Sequence, residues 1–475
     1  MRVNLIYPFV ILLLAILPPE ALRAQSYSLE ESIQYALDNN KNIQNARFEE
    51  YIAKAKVKEY LSLGLPQVNA SLDLQYFAEL PTQILPGLFN PTVDIVTIDG
   101  QPYPLTRLDP ETFQPIPGEE VEVAFGFPWQ STAGFNLNQL IFDGTYFTGI
   151  KAAKALQEVS RKDLHRSQEE TAVAVSKAYY QAMIAEENLN LINANLERLK
   201  KLFDETKALN TEGFVEKIDV DRLQISYNNL MLEKTNLERL VALSKDMLKF
   251  QMGMPVDESI ELTEKMSEAL ESPALADLGA GFDPQLRIEY DILQSQIELQ
   301  QLNLQRYRNG YLPSLNGFAS YQWNAQRSEF NFFDGSAPWF PISVIGVSLN
   351  VPIFDGFRKK SQISQTRYQI KQMENYSDIM RNSIKLEIKN AQAQELNSFN
   401  KLENLERTRN LAKRVFDVSQ IKYKEGVGSS LELNDAETQL KQAESNYLSG
   451  VFEYLMAKIE LQRSTGEFAR YRTAE

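Results

Sequence analysis

The chain has 475 residues, a formal net charge of −14 and no cysteine. The acidic balance argues against a nucleic-acid partner, because phosphate binding needs basic surface. The missing cysteines exclude disulfides, thiolate metal sites and a lipidated N-terminal Cys.

The N-terminus reads as a secretory signal. Arg2 supplies positive charge, Val10 to Leu17 an apolar core, and Pro18 to Ala24 the exit, so residues 1–24 are expected to be removed. No later stretch has 18 apolar residues in a row, so a membrane-spanning segment would have to be built from strands. Ser28-Leu29-Glu30-Glu31 carries a capping-box pattern and starts a helix that runs to about Leu63, where Gly64 and Pro66 stop it. The period then changes to two. Val68, Ala70, Leu72, Leu74 and Tyr76 alternate with Asn69, Ser71, Asp73 and Gln75, giving a strand over about 66–79. Such a strand suits either a soluble sheet over a core or a barrel with lipid outside and water within. Residues 80–132, rich in Pro, read as a long loop, and a second strand covers about 133–143.

One uninterrupted helical pattern follows. Thr171, Val175, Ala178, Ala182, Ala185, Leu189, Ile192, Leu196, Leu199, Phe203 and Thr206 repeat at alternating spacings of four and three, a coiled-coil seam. A helix from Gly144 to Asn210 would be roughly 100 Å long, too long for the core of a compact domain. After a break at Gly213-Phe214, another helix carries Leu223, Tyr227, Leu230, Leu237, Val241 and Leu248 to Gly253-Met254-Pro255. Residues 256–283 are acidic and aperiodic, and read as a connector with short local structure.

The plan then repeats. A helix from Asp283-Pro284 stops at Leu312-Pro313, and a strand follows over about 313–324. After an aromatic loop, a further strand at about 342–355 ends Leu349-Asn350-Val351-Pro352-Ile353-Phe354-Asp355-Gly356, closely matching Leu137 to Gly144. A long helix to Lys424, a break at Gly426-Val427 and a final helix complete the copy. The divisions are therefore 25–255, 256–283, 284–466 and a tail of 467–475. Four amphipathic strands cannot close a barrel alone, since about eight is the minimum. A barrel shared among several chains, with paired helices around a central duct, satisfies both strands and seams.

On these motifs, with Tyr423-x-x-Gly426 and Glu432-Leu433-x-Asp435-Ala436, the chain resembles the TolC family of outer-membrane factors over essentially its whole mature length. The resemblance implies a mainly α fold with membrane β: two repeats of helix–strand–strand–helix–helix, giving four strands per chain to a shared twelve-stranded trimeric barrel. It also implies a homotrimer among outer-membrane lipid, its helical tunnel in the periplasm of a Gram-negative bacterium, with a periplasmic adaptor and an inner-membrane pump of RND or ABC type as partners. Many members carry a lipidated N-terminal Cys, and this chain has none.

The resemblance places acidic rings of the tunnel mouth at Glu432 and Asp435, three apart and so on one helical face. Asp219 is the first-repeat counterpart of Glu432. On their own, such acids also suit a helix start, where the dipole favours negative charge. In relatives an Arg and a Tyr latch the first-repeat acid to the second-repeat turn. Tyr423 matches the Tyr, while Gly428 stands where some members have Arg, so a Tyr423–Asp219 hydrogen bond is the form of latch left. Gly213, Phe214, Gly426 and Val427 mark the tips where relatives receive the adaptor, although Gly there also serves the turn itself.

No phosphate loop, Gly-x-Ser-x-Gly or His-Glu-x-x-His occurs, and the single His165 sits among charged residues as a surface position, so no enzyme, cofactor or metal site is expected. The reading is a passive conduit exporting small molecules in a tripartite efflux system. Alternatives are the outer-membrane component of type I protein secretion and, from another class, a non-conducting structural coiled-coil protein of the envelope.

Overall fold

The computed structural model describes residues 25–85, 92–116, 118, 120–270 and 283–472. The expected signal segment, residues 86–91 of the Pro-rich loop, residues 271–282 of the connector and residues 473–475 of the tail lie outside them.

The elements are β1 (Gln25–Tyr27), α1 (Leu29–Asn39), α2 (Lys41–Ser62), β2 (Gln67–Tyr76), β3 (Thr82–Leu85), β4 (Val93–Ile98), β5 (Gln101–Thr106), β6 (Val121–Ala124), β7 (Trp129–Phe142), α3 (Gly144–Thr211) and α4 (Lys217–Met252). They continue with β8 (Ile260–Leu262), α5 (Met266–Ala269), α6 (Ile288–Asn309), β9 (Ser314–Arg327), β10 (Phe340–Asn350), α7 (Arg358–Lys424) and α8 (Ser430–Ser464). Two compact units divide the chain. One holds Lys58–Ile150 and Gln305–Ile363, and the other holds the remainder.

The first unit is built on an antiparallel four-stranded sheet in the order β10-β9-β7-β2. Register puts apolar residues in rows across it: Val68 faces Leu137, Leu137 faces Ala319, and Ala319 faces Ile345. These side chains have no core beneath them, and Val68, Leu72, Phe135, Ile345 and Val347 are exposed. The opposite face carries a polar ladder. Gln322 donates to Asn136 at 3.0 Å, Asn136 to Ser71 at 3.4 Å, and Asn324 to Thr132 at 3.0 Å. At the end reached by Tyr76 and Trp129, aromatic rings gather, with Trp129 at 4.6 Å from Tyr76 and 5.0 Å from Phe330 between centroids. The repeated Phe-Asp-Gly motif has a local cause, since its Asp caps the following helix. Asp143 Oδ1 accepts from the N–H groups of Thr145 and Tyr146, and Asp355 Oδ2 from that of Lys359 at 3.2 Å.

Several expectations are corrected here. The Pro-rich stretch holds two short ladders, β3 with β6 and β4 with β5. The β4–β5 turn is Asp99-Gly100, both at positive φ, which is a strong hairpin signal. Pro102 and Pro104 fit β5 because that strand pairs on one side only. β10 stops at Asn350 rather than 355, ahead of Pro352, which has no N–H for a ladder. The first helix is two, because Asn40 turns extended (ψ 129°). Its Oδ1 then accepts from the N–H of Asn42, and its Nδ2 donates to the Gln251 carbonyl at 2.7 Å.

The second unit buries the seams. Thr171, Val175, Ala178, Ala182 and Ala185 are buried along α3, and Leu223, Leu230, Leu237 and Leu248 along α4. A cluster formed by Ile192, Leu196, Leu199 and Leu202 of α3, Leu223 and Leu230 of α4, Phe416 and Tyr423 of α7, and Leu433, Ala436 and Leu440 of α8 makes a four-helix core. The connector contributes β8, which pairs in parallel with β1, so the residues before the first helix are tied to those after α4. His165 is partly buried and has an interaction partner, rather than standing free on the surface.

Candidate functional site

The two helix–helix turns are built alike. In the first, Gly213 sits at φ +81°, its N–H donates to the Asn210 carbonyl, and the N–H of Phe214 donates to Leu209 at 2.9 Å. In the second, Gly426 sits at φ +72°, its N–H donates to Tyr423, and the N–H of Val427 donates to Lys422 at 3.0 Å. A left-handed Gly after the helix with a backward bond from the next residue is how a helix end satisfies its last carbonyls. In that motif the residue after Gly commonly packs back on the helix. Here Phe214 is 77% exposed and Val427 78%, so each turn presents a bare apolar side chain.

The helices that follow also start alike. Ser429 caps α8, its Oγ accepting from the Glu432 N–H at 3.1 Å, so Glu432 is the third helical residue. Asp219 holds the same third position in α4, after Glu216. Glu432 and Asp435 share an exposed face while Leu433 and Ala436 are buried. Lys422 Nζ lies 3.2 Å from Glu432, and Gln439 donates to Asp435 at 2.7 Å.

The Tyr423–Asp219 hydrogen bond expected from the resemblance does not form, because each side chain bonds elsewhere. Asp219 accepts the hydroxyl proton of Ser430. Arg222 stands 3.7 Å from the same carboxylate and donates to Ser430 at 3.2 Å. The Tyr423 hydroxyl instead lies buried 3.5 Å from Thr206 Oγ1. The reason is placement: Tyr423 of α7 packs with α3, while Asp219 of α4 meets α8. Gly428 is held close to the end of α7, where a Cβ would come within 3.0 Å of Lys422 Cβ. Further along, Ser226 donates to Asn434 at 3.3 Å and Lys441 pairs with Glu233, continuing the α4–α8 polar seam. Arg222 and Ser430 escaped the sequence reading. The one local signal was the spacing of Asp219 and Arg222, which suits an i,i+3 pair.

Residues 290–467 match the family model described as outer membrane efflux protein. That match lies over the second repeat, which is similar to the family. The chain's match to the outer membrane protein TolC of Vibrio cholerae is 20% identical over 351 residues, 70% of this chain and 76% of the relative. The fold is likewise that of solved channels. CusC superposes with a TM-score of 0.69 at 15% identity, covering 92% of this chain and 91% of CusC. The CmeC outer membrane channel of Campylobacter jejuni gives 0.67 at 15%, covering 92% and 85%. The chain thus has the TolC-like fold of these solved outer-membrane channels.

Proposed function

We propose that three copies of this chain form the outer-membrane conduit of a tripartite efflux system, passing small molecules from an inner-membrane pump, through a periplasmic adaptor, to the exterior. The observation that carries the reading is the sheet of β2, β7, β9 and β10. It has apolar residues exposed on one face, a polar ladder on the other and a free edge at each end. A soluble sheet would cover that face, whereas a barrel turns it to lipid and its polar face to a water-filled lumen. Successive strands are antiparallel, so β2 of one copy can pair antiparallel with β10 of the next. Three four-stranded sheets then close at twelve strands with no edge left. The rings around Trp129 and Phe330 suit the membrane–water boundary.

In this assembly the acids of the helix starts converge. Glu432 and Asp435 from three copies make a six-carboxylate mouth that attracts cations and repels anions, and Asp219 with Ser430 and Arg222 holds adjacent helix pairs together there. Phe214 and Val427 are the apolar contacts offered to the adaptor.

Because the chain has no cysteine, introduced pairs report cleanly. Asn69→Cys with Ser348→Cys, one on each edge strand, is expected to give disulfide-linked species up to three chains in detergent extracts. A protein that stays monomeric and leaves the membrane without detergent would refute the assembly.

A further inference from the structure

Beyond the conduit and its mouth, the two ends of the four-stranded sheet differ in charge. At one end Tyr76, Trp129 and Arg327 pair across β2, β7 and β9. The segments joining strands there, 77–128 and 328–339, hold ten acids and one base. At the opposite end Ser314 pairs with Asn350, and Lys359 Nζ lies 5.2 Å over the Tyr311 ring, bringing the end of α6 to the start of α7. Residues 305–313 and 351–363 there hold five bases, Arg306, Arg308, Arg358, Lys359 and Lys360, and one acid, Asp355. Lys359 stands 3.6 Å from Asp355. Arg306, Arg308, Arg358 and Lys360 are exposed and have no ion pair among the described residues. We propose that this end of the sheet is a docking collar for the headgroups of an anionic phospholipid. Arg308, Arg358 and Lys360 take the phosphate, while Ile353, Phe354 and Phe357 enter the acyl boundary.

Helix electrostatics does not account for these cations. Arg306 and Arg308 suit the last turn of α6, but Arg358, Lys359 and Lys360 fill the first turn of α7, which has no acid. The helix dipole disfavours positive charge there, and an anion brought from outside offsets that cost. The apolar row of β10 also continues past the strand. Ile345, Val347 and Leu349 share one face, and beyond them Ile353, Phe354 and Phe357 are 93, 74 and 62% exposed. Phe357 is held at φ +65°, where a bulky side chain rarely stands. Its ring lies 5.4 Å from that of Phe354, with Lys360 Nζ 5.8 Å over it. Exposed rings interleaved with unpaired cations match a membrane boundary, where aromatics sit at headgroup level and basic groups attract anionic lipid. A nucleic acid or an acidic protein would use the cations and leave the apolar groups bare. A zwitterionic lipid would cover the apolar groups and leave the positive charge uncompensated. The inference rests on the reading of the sheet as lipid-facing, and the acidic segments at its other end confine the selectivity to this one.

The test reconstitutes the full chain in phosphatidylcholine vesicles and measures, with spin-labelled lipids, how strongly the protein retains phosphatidylglycerol relative to phosphatidylcholine. The parent is expected to prefer phosphatidylglycerol by about fivefold or more, the effect of one basic group beside an anionic headgroup. Arg308→Gln/Arg358→Gln/Lys360→Gln breaks no ion pair, so it should assemble like the parent and bring the ratio close to one. Salt at about 1 M should do the same by screening. Lys200→Gln/Lys201→Gln/Lys413→Gln removes the same charge from exposed positions on α3 and α7 and should keep the parent ratio. Inorganic phosphate should leave the labelled lipid in place, because it has no acyl chain to seat beside the rings. A ratio of one in the parent, an unchanged ratio in the collar variant, an equal fall in the lysine control, or displacement by phosphate would each overturn the proposal. A protein that enters no vesicle would refute the lipid-facing sheet itself, and the collar with it.

Discussion

Ser430 gives its hydroxyl proton to Asp219, across 211 residues of sequence and from one repeat to the other. With Arg222 donating to the same hydroxyl at 3.2 Å, this is the most direct polar tie between the starts of α4 and α8. A hydrogen bond to a charged group contributes about 1.5–3 kcal/mol. Ser430→Ala or Asp219→Asn should therefore shift a closed–open balance at the mouth by about tenfold or more. The expected result is larger or longer single-channel openings with unchanged oligomer yield. Channels identical to the parent would show that the tie is structural only.

The turns make a separate prediction. Gly213 and Gly426 stand in the left-handed region, where a side chain with a Cβ costs roughly 1–2 kcal/mol. Gly213→Val should lower the unfolding temperature slightly, since nothing lies within 4 Å of the added Cβ and the strain is in the backbone alone. Phe214→Glu with Val427→Glu should leave unfolding temperature and oligomer intact while abolishing drug tolerance in cells, because the apolar tips are lost without touching the fold. Full tolerance in that variant would remove the tips from the adaptor contact.

How far these features could be read from sequence follows their range. The a/d seam of α3 and the Gly at 213, 253 and 426 obey local rules, so they were visible in the order of residues alone. The amphipathic strands and the repeated Phe-Asp-Gly corner were visible too, and their twofold occurrence fixed the architecture. What sequence hid was pairing at a distance. Nothing near Ser430 points to Asp219, and nothing near Tyr423 shows that its ring lies against Thr206. The three-residue β1 is too short to show a period, and Asn40 breaks a helix through bonds to Asn42 and Gln251, the latter 211 residues away. Asp99-Gly100 carries a hairpin signal, but the prolines around it give the stretch the composition of a loop.

Glu437 sets a pH dependence of stability. Burial raises its pKa in the folded chain above the ordinary carboxylate range, against the opposing pull of Arg198 and Lys441. The unfolded chain therefore releases this proton first. The contribution of the buried acid is full below the ordinary carboxylate range and is lost as pH rises through the raised value. In a series of thermal unfolding curves upward from about pH 4.5, Glu437→Gln should lose less stability than the parent. Parallel curves for the two proteins would contradict this assignment.

The most direct test of the account is single-channel conductance of the detergent-purified protein in a planar bilayer, with and without Glu432→Ala plus Asp435→Ala. The account predicts small, cation-selective openings in the parent that grow and lose their selectivity in the double variant. No conductance from a correctly folded oligomer would contradict the conduit itself, and channels indifferent to both substitutions would contradict the acidic mouth.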